Sequence, residues 1–226
     1  MAIRGVLTTI CLGLLLTGCA TAPPGSYFPP PSDPATTRVA ETLRRAALAA
    51  GDDPSRYSFG FVSSFVAAAY SDEDGTFYVT DGLLHLPPSV LDAVIAHEVA
   101  HEVLGHVGSR RALALTLSAS FGAAGVIAPG AGLADLLVNP LAVRAFSRRQ
   151  ELAADRKAVE ILWDMGYRTP RRTLADALRT VDRTGPKPKE GLGGLFDTHP
   201  SLEERLAALE PIEPASSPTA SVGLPR

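Results

Sequence analysis

Apolar residues recur at helical spacing from Arg38 to Ala50. Val39, Leu43, Ala46, Ala47 and Ala50 share one face, while Arg38, Arg44 and Arg45 lie largely elsewhere. Gly51 and the following "DDPS" end that helix. The next segment, "YSFGFVSSFVAAAY", is aromatic and β-branched. "SDEDG" then supplies turn residues and "TFYVT" resumes a strand pattern, which predicts a β-hairpin. Pro87 and Pro88 lead into a second helix that is apolar over much of its surface, with Val90, Leu91, Val94, Ile95, Val99 and Val103. A third helix is expected from Arg148 to Met165, stopped by Gly166. "TPRRTLADALRTVDR" predicts a fourth and "PSLEERLAALE" a short last one. With no internal repeat, the pattern predicts a mainly helical α+β domain with a small sheet or hairpin beside the second helix.

The 226 residues, 46% of them hydrophobic, suit a single domain with a real core. A net charge of -3 with no basic stripe argues against a nucleic-acid partner. The two ends have a different character. "MAIRGVLTTICLGLLLTGC" carries one positive charge, Arg4, and then an apolar run that suits a signal peptide and is short for a membrane span. Within it, "LTGC" resembles the signal box of bacterial lipoproteins. That resemblance implies removal of residues 1–18 and lipidation of Cys19. Ala20, rather than aspartate, implies an outer-membrane anchor facing the periplasm. Cys11 would leave with the signal peptide, so no disulfide is expected within the mature chain. Residues 19–37, rich in proline and small side chains, read as the lipidated cysteine and a semi-extended tether. Residues 38–210 read as the folded domain and 211–226 as a disordered tail.

Chemistry concentrates on the second helix. Three of the five histidines, His97, His101 and His106, fall within "AHEVAHEVLGH". His97 and His101 stand four apart and so project from one helical face. That spacing lets two imidazoles share a tetrahedral metal ion, with Glu98 beside it to take a proton from water. This His-Glu-x-x-His arrangement suits zinc-assisted peptide hydrolysis. Burying it without a metal would be costly. A third ligand is offered by Glu151 in "SRRQELAADRKAVEIL", where Asp155, four residues on, can accept a hydrogen bond from a ligand imidazole.

Four segments resemble the HtpX-like zinc metallopeptidases, in that family's order: "SSFVAAAYSDEDGTFYVTDGLL", "LDAVIAHEVAHEVLGH", "RRQELAADRKAVEILWDMGY" and "THPSLEERL". The resemblance implies a zincin-like domain of the gluzincin type holding one zinc per chain. His97, His101 and Glu151 would be the ligands, Glu98 the general base, and Asp155 a support for a ligand histidine. It also draws in His199, which could stabilise the oxyanion, cap the metal as a removable ligand, or simply pack at the last helix, and Arg205, expected to pair with an unidentified carboxylate near the cleft. "TFYVT" is expected to run along the cleft with an exposed edge for substrate. His106 lies too far along the helix to share the ion and reads as structural or supporting; His85 reads as structural.

The 23 uncharged residues from Ala112 to Ala134 are long enough to enter a membrane, but Pro129 and several glycines favour a mobile apolar lid over the cleft. The expected function is a zinc endopeptidase acting on unfolded or extended envelope proteins in quality control, with outer-membrane assembly machinery as a possible partner. The alternatives are a non-proteolytic zinc-containing chaperone for outer-membrane proteins and a lipoprotein whose metal is purely structural.

Overall fold

The computed structural model describes residues 22–71, 75–109, 147–185 and 201–214. Cys19, His199 and the uncharged stretch 112–134 lie outside the described residues.

Chain order gives β1 (Ser26–Tyr27), α1 (Pro34–Ala50), β2 (Ser58–Val62), β3 (Ala69–Ser71), β4 (Thr76–Thr80), α2 (Asp81–Leu84) and α3 (Pro88–Val103). After these come α4 (Arg148–Asp164), α5 (Pro170–Thr184) and α6 (Leu202–Ala208). The expected mainly helical α+β domain is what forms. Its α3 is apolar nearly all round, as a central helix must be, and it packs against α1, α4, α5 and β3.

Helix α1 starts four residues earlier than its apolar periodicity suggests. Asp33 is its N-cap and accepts hydrogen bonds from the Ala35 and Thr36 backbone N–H groups at 2.9 and 3.1 Å, with Pro34 in the first turn. Its buried stripe is Val39, Thr42, Leu43, Ala46 and Ala47, and Gly51 closes it at φ 77°. The tether expected over residues 19–37 is therefore partly structured. Ser26 and Tyr27 pair antiparallel with Val62 and Phe61. Phe28 lies on Gly60 so closely that a Cβ there would stand 2.5 Å from its ring. Proline spacing hid a strand too short to show a period.

The sheet also departs from expectation. Its order is β1-β2-β4-β3, with β2 and β4 parallel (Ser58 opposite Thr76, Val62 opposite Thr80) and only the short β3 antiparallel to β4. The long hairpin is thus replaced by a short one, and residues 63–68 leave the sheet between β2 and β3. Thr80 fixes that excursion by accepting from the Ala68 N–H at 2.9 Å and donating to the Val66 carbonyl at 2.7 Å. Gly82 permits it, since a Cβ there would meet the Phe65 carbonyl oxygen at 2.3 Å. "TFYVT" is consequently an inner strand, flanked on both sides, and not the edge expected along the cleft. Among the described residues β3 is the outer strand on that side.

The domain also runs past its expected end at residue 210. Thr169 provides no side-chain cap for α5; instead the Glu213 carboxylate accepts from the Arg171 and Arg172 N–H groups at 3.2 and 2.9 Å. Ile212 packs against the core. No helix among the described residues is long and apolar enough to cross a membrane.

Candidate metal centre

The centre is built from α3 and α4. A capping box sets the start of α4: Ser147 accepts from the Gln150 N–H at 3.3 Å, and the Gln150 side chain accepts from the Ser147 N–H at 2.9 Å. That start places Glu151 in the first turn and Asp155 one turn later, both turned inward and buried to 4% and 1% exposure. His97 and His101 are buried on the facing side of α3.

Three donor groups converge there. His97 Nε2 and His101 Nε2 are 3.1 Å apart, Glu151 Oε2 is 3.5 Å from His97 Nε2, and Glu151 Oε1 is 3.6 Å from His101 Nε2. One ligand atom from each lies within 4.8 Å of the others. A tetrahedral ion with bonds of about 2.0–2.1 Å separates its ligands by about 3.3 Å, a spacing close to these distances, so the residues present fit a metal ion. Lone pairs crowded at such distances need a cation or protons between them.

The distal ring nitrogens are also engaged. His97 Nδ1 lies 3.0 Å from Asp155 Oδ1, as expected for that carboxylate. His101 Nδ1 lies 3.0 Å from His106 Nδ1. Burial pushes the His106 imidazole below its ordinary pKa, against the pull of the Glu151 charge. A neutral His106 can accept the His101 Nδ1–H, which leaves His101 Nε2 as a lone pair facing the centre. His106 thus stands behind His101, outside the group of His97, His101 and Glu151 that could share an ion. His85 sits away from it, its Nδ1 2.6 Å from the Asp81 carbonyl oxygen.

Arg205 on α6 supplies the pairing the sequence left open. Its Nε donates to Asp155 Oδ2 at 2.8 Å and its Nη2 to Asp155 Oδ1 at 2.6 Å, with Nη1 3.6 Å from Glu151 Oε2. Burial opposes ionisation of Asp155, but the hydrogen bonds from Arg205 and His97 outweigh it and hold the carboxyl below the usual range. At His97 burial likewise opposes the charge, yet the Asp155 and Glu151 carboxylates lift the imidazole from 6.5 to about 9. A cation bound by His97 would take the place of that proton.

Glu98 lines the same cleft as His97, His101 and Glu151. The cleft, about 300 Å³, is bordered by β3 on one side and by Val94 and an apolar face of α5 on another. The α5 wall went unread in the sequence; its signal was the spacing of Leu174, Ala177, Leu178 and Val181.

Paired imidazoles one turn apart, a carboxylate from a second helix and a glutamate lining the same cleft, set in this α+β domain, define a metallopeptidase-type centre. The chain belongs to Peptidase family M48, whose profile matches residues 34–213. It is similar to a protease HtpX homolog of Chlorobium phaeobacteroides (strain BS1), at 40% identity over 92 residues, 36% of this chain and 28% of the relative. A protease HtpX homolog of Methylibium petroleiphilum is 30% identical over 187 residues, 66% of this chain and 64% of the relative. One of Pelodictyon phaeoclathratiforme is 29% identical over 219 residues, 80% and 73% respectively. The chain therefore spans less than two thirds of the length of the first two.

Proposed function

We propose that this chain is a zinc-dependent endopeptidase with one metal per chain, held by His97, His101 and Glu151. The observation that carries the reading is the convergence of His97, His101 and Glu151, one ligand atom from each within 4.8 Å of the others, in a cleft that also presents Glu98. Two imidazoles and a carboxylate suit zinc. Bound there, zinc would polarise a scissile carbonyl and acidify water.

The remaining work falls to side chains. Glu98 takes the proton of the attacking water and passes it to the leaving amine. Asp155 accepts the His97 Nδ1–H and keeps Nε2 aimed at the centre, and Arg205 keeps Asp155 ionised. His106 does the same service for His101. A substrate lies extended beside β3, which borders the cleft and can pair through its backbone only with an extended segment. Unfolded or extended chains are therefore the substrate class. His199 is assigned a role at the oxyanion or as a removable cap on the metal.

Lipidation at Cys19 is read from the "LTGC" box and an outer-membrane anchor facing the periplasm from Ala20, while the quality-control role on envelope proteins, near the assembly machinery for outer-membrane proteins, comes from the resemblance to the HtpX-like peptidases. The similarity to protease HtpX homologs supports the proteolytic part. The test uses the full-length protein purified from bacterial membranes and incubated with an unfolded polypeptide. Cleavage that stops with a chelator and returns with zinc is expected, together with an acylated Cys19 as the amino terminus by mass spectrometry. Cleavage indifferent to chelation defeats the metal reading, and an intact residue 1–18 segment defeats the anchor.

A further inference from the structure

The excursion between β2 and β3, residues 63–68, is pinned along its backbone and bare at its tip. The Ser63 N–H donates to the Gly25 carbonyl at 3.0 Å, and the Gly82 N–H to the Ser64 carbonyl at 2.8 Å. The Ala67 N–H donates to Thr184 Oγ1 at 3.2 Å, while Thr80 holds Val66 and Ala68. Between these fixed points Phe65 is fully exposed, at 101%, more than any other large apolar side chain among the described residues. Val66 beside it is 38% exposed.

We propose that Phe65 and Val66 form a membrane contact. The Phe65 ring seats in the interfacial layer of the bilayer that holds Cys19 and thereby sets the cleft at the membrane surface. The inference rests on the lipid anchor proposed above.

The length of the tether places the bilayer. Three residues separate Cys19 from Ala22, a reach of at most about 11 Å. The chain then turns back on itself, with the Ser26 N–H donating to the Pro23 carbonyl at 3.1 Å and Ser26 lying opposite Val62. Gly25, in that turn, is bonded to Ser63, two residues before Phe65. An anchored bilayer must therefore approach the end of the sheet where β2 stops and the excursion begins.

The tether also explains why two side chains suffice. One aromatic ring is too weak to recruit a protein from solution, since stable membrane binding takes more than one signal. A short linker makes the second contact intramolecular, at an effective concentration of about millimolar. The pinned backbone adds to this, because the ring is presented without ordering a loop.

The consequence is for the substrate. Ala68 and Ala69, which follow the excursion, line the cleft. Ala68 stands three residues from Phe65, again within about 11 Å. With Phe65 at the bilayer, β3 meets extended segments that lie at the membrane surface before it meets chains free in solution.

The experiment uses the full-length, acylated, zinc-loaded protein in vesicles of phosphatidylethanolamine and phosphatidylglycerol. Trp163, the one tryptophan of the chain, is changed by Trp163→Phe so that Phe65→Trp supplies the only indole. Its emission is expected to shift to shorter wavelength on the vesicles and to be quenched when the acyl chains are brominated. Phe65→Ser should cleave a free unfolded polypeptide at the parental rate. The same polypeptide, lipid-tethered to the vesicles, should be cleaved roughly tenfold more slowly. Water-like, unquenched emission from an acylated, vesicle-bound chain overturns the contact and leaves the anchor. A chain that lacks the acyl group and does not float with vesicles removes the anchor and the contact with it. Short-wavelength emission from Cys19→Ser protein in vesicle-free buffer also overturns the proposal, because the chain itself or a second copy then covers the ring. Equal loss of cleavage on free and tethered substrate contradicts the placement of the cleft.

Discussion

Arg205 and Asp155 are fifty residues apart in sequence and meet through two donor nitrogens and both carboxylate oxygens, at 2.8 and 2.6 Å. The pair matters because Asp155 Oδ1 is also 3.0 Å from His97 Nδ1. Arg205 therefore reaches His97 through one intervening carboxylate, and its Nη1 also lies 3.6 Å from Glu151 Oε2. The charge-assisted pairing fixes Asp155 in place and keeps it available to orient His97.

Removing the guanidinium should loosen the centre. Arg205→Ala is expected to weaken zinc binding by roughly 10–100-fold, and Arg205→Lys by less, because a lysine keeps the charge but not the fork. Chelator competition measures this without relying on catalysis. Unchanged affinity in Arg205→Ala would show that the pair is structural only.

Acidity acts on the metal-free protein with two opposite signs. His97 is raised from 6.5 to about 9 in the folded state, so its contribution to stability is complete below about 6.5 and is lost as pH climbs towards 9. Asp155 is lowered, so its contribution is present above the ordinary carboxylate range and is lost as pH falls through its folded value. The chelated protein should therefore be most stable between about pH 4 and 6.5 as far as these two groups decide it. Zinc must displace the His97 proton, so its affinity should rise with pH up to about 9. Denaturant titrations and competition assays across that range would show both trends. A stability that rises from pH 6.5 to 9 in the chelated protein contradicts the assignment.

The far side of α3 carries a different burden. Asp92 is 5% exposed and accepts hydrogen bonds from Thr42 Oγ1 at 2.9 Å and Tyr167 OH at 2.8 Å, with Arg45 Nη1 at 3.2 Å. It ties α3 to α1 and to the residues after α4. Asp92→Ala leaves those donors facing a hole and should cost about 3 kcal/mol of stability. A chemical denaturation midpoint that does not move would argue against this tie. Zinc affinity at a temperature where the variant is folded should change little, because Asp92 faces away from the centre.

How much of this was legible follows from where each contact lies along the chain. His97, Glu98 and His101 could be read directly, because a helix converts their spacing into one geometry. Glu151 and Asp155 could be paired with them since a second helix repeats the i, i+4 relation. The partner of Arg205 could not, because no local rule links residue 205 to residue 155. The sheet failed for the same reason: the parallel pairing of Ser58–Val62 with Thr76–Thr80 depends on Thr80 and Gly82 holding the intervening chain aside. Composition misled at both ends, where proline-rich segments hid β1 and the Asp33 cap on one side and the Glu213 cap on the other. The Asp33-Pro34 pair was a readable helix start, outweighed by the tether-like run around it.

The central claim is that Glu98 performs proton transfer at a metal held by other residues. Glu98→Gln keeps the shape and removes the base. With zinc content measured in both proteins, the parent should cleave an unfolded polypeptide, while the variant should hold zinc equally and cleave it at least about a hundredfold more slowly. A zinc-replete Glu98→Gln protein that cleaves at the parental rate would contradict the account.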